Sequence, residues 1–323
     1  EKALNHSKKI GIDECEIVLV KKKITTVRIT DSEIAEIKQN FDESYGIRII
    51  HQKKIASSQS TDKQNVNKNI ENIFDTISNL KPREFWEELP YKAKLKKLDG
   101  TFDEKLENIS GSNAMDIAQD MINSTINNKV STITGSLNIV SEDFQLSNSK
   151  GLELADESTY ITGIINAESE FGNTPVSGIG HASGRTLLNF SPEQIGKDAK
   201  NMCVKAINPQ KIDSGKYSII FEPYSVGELL AFVVAVNFNF KTFSEKKSCF
   251  SNDLNKKIGI DEFNLIDDPH IPEGIGTKSI DDEGIETQKR NLIENGIFKN
   301  TFSNLYDSFK EGVKSTGNSS RGG

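Results

Sequence analysis

Two runs near the amino terminus constrain this chain most: "ECEIVLV" at residues 14–20 and "KITTVRIT" at residues 23–30. Both are dense in β-branched residues, whose stiff side chains favour extended backbone. They predict two strands. "EIAEIKQ" predicts a third, and "YGIRIIHQKKIASSQST" a further hairpin turning near residues 52–54. Residues 1–11 read as a helix end closed by Gly11. Val66, Ile70, Ile73, Phe74, Ile77 and Leu80 recur at spacings of three and four, one apolar helix face, with Pro82 as the stop. Residues 1–80 therefore read as helix, antiparallel sheet, helix.

A connection follows over residues 81–100, carrying the single tryptophan, Trp86. A second cycle begins with a helix near residues 102–127. "VSTITGSLNIV", "FQLSNSKGLEL" and "TYITGIINAES" then predict strands. The glycines of "FGNTPVSGIGHASG" predict a loop or bulge-rich segment. In "SPEQIGKDAKNMCVKAIN", Ser191 reads as an N-cap, Pro192 as the first helical residue and Gln194 as the partner in a capping box. Ile195, Ala199, Met202, Cys203 and Ala206 would form its buried face. "GKYSIIFEP" predicts a strand, and the remainder alternates strands and turns. The pattern predicts an α+β fold: two domains of mainly antiparallel sheet with packed helices, residues 1–90 and residues 91–323.

The 323 residues suffice for a substantial core. A net charge of -7 argues against a nucleic-acid surface, which shows a clustered basic face. The lysines at 21–23 read as solvated charge. Three widely spaced cysteines without a CxxC speak against a disulfide framework and for a reducing, cytoplasmic compartment. No signal peptide is visible, and the apolar run at 226–236 is shorter than the ~20 residues of a membrane helix. The start without methionine and the loop-like "STGNSSRGG" read as trimmed ends.

Little chemistry is legible. The histidines are His6, His51, His181 and His270, none near another and none followed by glutamate, so no HExxH helix can be built from them. GxSxG, GxxxxGK[ST] and GxGxxG are absent. Cys203 reads as core and Cys249 as an ordinary thiol. Asp267 and Asp268 in "IDDPHIPEG", and Asp281, Asp282 and Glu283 in "SIDDEGIETQ", could serve as acid and base or hold a hard cation. Each cluster also precedes Pro or Gly, where aspartate commonly supplies turn hydrogen bonds.

The carboxy-terminal third goes further. "DDP", "DDEG", "LIENGIFKN" and "STGNSSR", in that order and spacing, resemble the TldD/PmbA family, once named modulators of DNA gyrase. "LSNSKGLEL" resembles the family's Asn-Ser-x-Gly strand turn, and the first 60 residues resemble its first domain by pattern. The resemblance implies a two-branch system. TldD-like chains carry a His-Glu-three-residues-His zinc motif on a helix, with a cysteine as third ligand, and degrade unfolded or short peptides. PmbA/TldE-like chains lack the motif and pair with them.

Anchored on Leu229 and Leu230, the motif would fall on "AFVVAV", with Ala231 and Phe232 in place of His-Glu and Val236 in place of the second His. None can hold zinc or act as a base. The resemblance therefore implies a noncatalytic subunit with no cofactor of its own, the zinc residing in a TldD-like partner. The apolar helix would be buried against sheet. Gly178, Gly180 and His181, with Asp267, Asp268, Asp281, Asp282 and Glu283, are the candidate cleft or interface residues. A homodimer in isolation is compatible with this, and neither nucleic acid nor membrane is expected as partner. Two other readings stay open: a stand-alone hydrolase using the acidic clusters with His181 or His270, and a homodimeric peptide-binding scaffold.

Overall fold

The computed structural model describes residues 1–91 and 97–320. The expected connection at 81–100 thus has residues 92–96 outside the described part, as are residues 321–323 of the "STGNSSRGG" end. In chain order the elements are α1 (Lys2–Lys9), β1 (Glu14–Thr30), β2 (Glu33–His51), β3 (Lys54–Ser60), α2 (Val66–Ile77), α3 (Glu104–Glu107), α4 (Gly111–Thr125), β4 (Thr132–Asn148), β5 (Glu153–Ser169), β6 (Val176–Gly184) and α5 (Pro192–Ala206). The carboxy-terminal third adds α6 (Pro223–Leu229), α7 (Phe240–Ser244), β7 (Leu265–Asp267), β8 (Arg290–Glu294), β9 (Ile297–Phe298) and α8 (Leu305–Glu311). The fold is α+β, as the alternating blocks imply.

The two strands expected over residues 14–30 are one 17-residue strand. "EIAEIKQ" and "YGIRIIH" likewise fuse into the 19-residue β2. The lysines at 21–23 do not interrupt β1, because β2 and β4 pair with it there on both sides and the lysine side chains reach polar groups. Lys22 Nζ lies 2.7 Å from Glu142, Lys21 Nζ 3.9 Å from Glu43, and Lys23 Nζ donates to the Glu107 carbonyl at 2.7 Å. Asp31 and Ser32, then Gln52 and Lys53, all take positive φ. Paired left-handed residues give the two-residue hairpin turns whose twist suits long antiparallel strands.

One six-stranded sheet results, in the order β3-β2-β1-β4-β5-β6, antiparallel throughout. β1 pairs with β4, so the sheet runs continuously from the first 90 residues into the following ones. Two helix pairs pack on it. α1 and α2 bury Ile12, Cys15, Ile47, Ile49, Ile70 and Ile73 beside β1–β3. α4 and α5 bury Met121, Ile122, Ile161, Ile165, Ile195 and Cys203 beside β4–β6. Helix termini follow local chemistry. Asp103 and Ser110 cap α3 and α4 through side-chain oxygens, and Gly11 takes a positive φ just past α1. Ser191 makes no cap bond to the backbone, so the expected capping box is absent; Gln194 instead donates to Asp198. Met202, expected on the buried face of α5, is exposed.

"GKYSIIFEP" forms no strand. Residues 207–222 have no regular secondary structure, and Ile219 and Ile220 are exposed, because no described strand lies beside them to take the ladder. The end of the chain is tied back by Trp86. Its Nε1 donates to Glu14 at 2.9 Å, its ring meets Phe309 of α8 edge-on, and the Arg48 guanidinium lies over its face.

Candidate functional site

The apolar stretch at 223–238 is one helical rod. Pro223 occupies the first turn of α6, where its missing N–H costs nothing. Residues 230–234 widen into a π-helical turn, and residues 235–238 tighten into 3₁₀ geometry. One stripe of the rod is anchored. Val234 and Phe238 join Leu292, Ile293, Phe298 and Phe302, with Phe238 and Phe298 ring centroids 5.4 Å apart. The expectation that the rod is buried against sheet fails for the rest. Phe232 is 81% exposed and Val236 53%, and Ala231 is exposed as well. Ala231, Phe232 and Val236, where the resemblance would put the zinc motif, are all exposed. Their side chains offer no lone pair to a metal. Among the described residues no group of three or more His, Cys, Asp or Glu converges to hold one. Zinc does not fit this rod.

His181 lies beside the rod, not in a loop. The glycine-rich segment expected to be a loop is the edge strand β6, for a packing reason. A Cβ on Gly178 would sit 2.1 Å from the Cys203 nitrogen, and one on Gly180 1.9 Å from the Ile195 carbonyl oxygen. The glycines let α5 lie directly on the strand, which accounts for both positions without a ligand. His181 points to the opposite face, its ring tilted 56° against that of Tyr224 with the centroids 4.2 Å apart. A pocket of about 390 Å³ opens between His181, Tyr224, Glu228 and Phe232. The hydrogen bond to Glu228 raises the Tyr224 phenol above its ordinary value.

The acidic candidates do not gather around His181. Asp281 is buried and accepts three backbone N–H bonds: from Glu283 and Ile285 at 2.9 Å and from Ser319 at 3.0 Å. Burial nonetheless pushes its carboxyl up. Glu283 is buried too; one oxygen meets Arg48 at 2.8 Å and the other accepts from the Leu305 N–H. Asp282 pairs with Lys278 at 3.0 Å. Asp267 accepts from Asn318 at 2.7 Å. Asp268 pairs with Lys289, which with the His270 N–H holds its carboxyl below the usual range. The "DDP" and "DDEG" segments are thus each bonded to the "STGNS" segment, at Asn318 and Ser319. Asp267 alone among these acids approaches the rod, lining a groove with Gly227, Ala231 and Phe238.

Two arginines escaped the sequence reading. Arg48 bridges Glu16 and Glu283. Arg185 donates to the carbonyls of Gly274, Ile275 and Thr277, holding that segment against the sheet. Neither stands in a motif, and only the folded chain brings their partners near.

Comparison with known proteins sets this geometry in context. Residues 15–81 match the PmbA/TldA metallopeptidase domain 1 and residues 214–323 match the PmbA/TldA metallopeptidase C-terminal domain. The chain belongs to the TldD/PmbA family. Within the family it is similar to an uncharacterized protein of Methanocaldococcus jannaschii, 25% identical over 324 residues, covering all of this chain and 74% of that one. It is 29% identical over 136 residues to metalloprotease PmbA of Escherichia coli O157:H7, a match covering 42% of this chain and 30% of that protein. Its fold is that of TldE from Thermococcus kodakarensis, with a TM-score of 0.85 at 20% identity, over 98% of this chain and 72% of that structure. The chain thus spans about three quarters of the first relative, and its match to PmbA covers under a third of that protein.

Proposed function

We propose that this TldD/PmbA-family chain is a noncatalytic, PmbA/TldE-like subunit of a zinc peptidase. A TldD-like partner supplies the zinc and the general base, and the pair acts on unfolded or short peptides. The carrying observation is the rod at 223–238. It stands where the family resemblance puts the metal motif, and it presents Ala231, Phe232 and Val236 there. A helix bearing apolar groups outward is suited to a protein partner, since burying Phe232 alone against another surface is worth roughly 1.5–3 kcal/mol. The likeness to TldE supports the fold only; the branch assignment rests on the side chains. The free, widely spaced cysteines favour a reducing compartment, and we place the complex in the cytosol. Among the described residues no helix is long and apolar enough to cross a membrane.

A stand-alone hydrolase built on Asp281 and Asp282 has less support. Asp281 spends both oxygens on backbone N–H groups, and Asp282 is paired with Lys278. The deciding experiment purifies this chain alone and together with a TldD-like chain from the same source. Zinc content and cleavage of an unfolded peptide are measured for each. Zinc and cleavage in the mixture only are expected. Chelator-resistant cleavage by this chain alone would overturn the reading.

A further inference from the structure

The pocket beside the rod is lined by aromatic rings and one carboxylate. Tyr224, Glu228 and Phe232 follow one another at spacings of four, so they lie along one side of the rod. His181 of β6 closes the pocket from across, its ring centroid 4.2 Å from that of Tyr224. Pro223, Gly227 and Ala231 complete the wall and bring no polar side chain. The space enclosed is about 390 Å³, and Phe232 at 81% exposure and Tyr224 at 36% leave it open to solvent.

The charge of the pocket is one-sided. Glu228 is its one carboxylate, and among the described residues no lysine or arginine lines it. Glu228 accepts from the Tyr224 phenol and, among the described residues, pairs with no cationic side chain. Elsewhere in the chain aromatic faces carry an intrachain cation: Arg48 on Trp86, Arg83 on Tyr306 and Lys150 on Tyr91. Among the described residues none lies over Tyr224 or Phe232. A ring face is the negative end of a quadrupole and attracts a cation, and a carboxylate beside it adds to the attraction. Hydrogen bonding selects the kind of cation. A primary ammonium brings three donors that need acceptors. The side-chain acceptors here are Glu228, already engaged by the Tyr224 hydroxyl, and the imidazole of His181. A quaternary ammonium brings no donor, and its methyl groups suit the apolar wall.

We propose that the pocket between His181, Tyr224, Glu228 and Phe232 is a binding site for the quaternary ammonium group of a small organic cation. The rings of Tyr224 and Phe232 meet the methyl groups, and Glu228 supplies the opposite charge. The site needs neither zinc nor a partner chain, so it stands apart from the subunit reading.

The test titrates choline into the full chain and follows saturation transfer from protein to the choline methyl protons by NMR. The control ligand is 3,3-dimethylbutan-1-ol, which has the same shape without the charge. Saturable binding of choline is expected, with the neutral alcohol at least tenfold weaker. Glu228→Gln and Phe232→Leu should each weaken choline binding at least fivefold. Tyr224→Leu should weaken it too, and Tyr224→Phe, which restores a ring, should recover most of the loss. Glu311→Gln, at an exposed acid outside the pocket, should leave binding unchanged. The four substituted side chains are exposed, so the variants keep the fold. No saturable binding of choline, equal binding of the neutral alcohol, or the same loss in Glu311→Gln as in Glu228→Gln would each overturn the proposal. None of these outcomes bears on zinc content or peptide cleavage, which test the subunit reading separately.

Discussion

Arg48 Nη1 lies 2.8 Å from Glu283 Oε1, so a strand near the amino terminus and the "DDEG" turn share one buried charge pair. Arg48 also approaches Glu16 at 3.2 Å. Two carboxylates from distant parts of the sequence thus share one guanidinium. Arg48→Met would remove that shared cation, and breaking a buried pair from one side costs about 3 kcal/mol or more. We expect that loss in the urea unfolding midpoint, accompanied by earlier exposure of Trp86, which stacks under Arg48. An unchanged midpoint would mean the pair contributes nothing to holding the carboxy-terminal third.

Gly180 of β6 and Gly227 of α6 give a contrast within one protein. Gly180→Ala puts a Cβ 1.9 Å from the Ile195 carbonyl oxygen, which the backbone of α5 cannot yield without moving. Overpacking of this kind costs about 1–3 kcal/mol. Gly227→Ala meets nothing within 4 Å and lies in α6. There alanine should stabilise the helix by about 0.5–1 kcal/mol. Thermal unfolding of the two variants should shift in opposite directions.

Cys15 provides a pH test. Burial pushes its thiol up from 9.0 to about 11, and the nearby Glu16 adds to the rise. The folded pKa lies above the unfolded one. The stability it contributes is therefore complete below about pH 9 and is lost as pH rises toward 11. Cys15→Ala should flatten that alkaline limb when urea stability is measured from pH 8 upward. At pH 8 a thiol reagent should label Cys249 in the native chain and reach the buried Cys15 and Cys203 only after unfolding.

Phe232 separates folding from assembly. Its side chain is 81% exposed, so Phe232→Asp should change the stability of the isolated chain by no more than about 0.5 kcal/mol. Under the subunit reading the same change should reduce co-purification with a TldD-like chain at least tenfold. Retained association would move the interface away from the rod.

The sequence by itself determined the α+β class and the position of most elements. β-branched runs and helical spacing are local signals, and α2, β3 and α5 lie close to where those signals put them, whereas the helix expected near residues 102–127 is split into the short α3 and a separate α4. It determined as well that residues 231, 232 and 236 carry no metal ligand, because that depends on residue identity alone. Tertiary structure decided what depends on neighbours. It joined the runs of residues 14–30 into one strand, since β2 and β4 pair with the chain on both sides straight through the lysines at 21–23. It made a strand of the glycine-rich segment, because the space that glycine frees is filled by α5. It turned "GKYSIIFEP" out to solvent, because strand propensity is realised only beside another strand. And it took Asp281 and Glu283 out of the list of free acids, because their partners, Ser319, Leu305 and Arg48, are brought to them only by the fold.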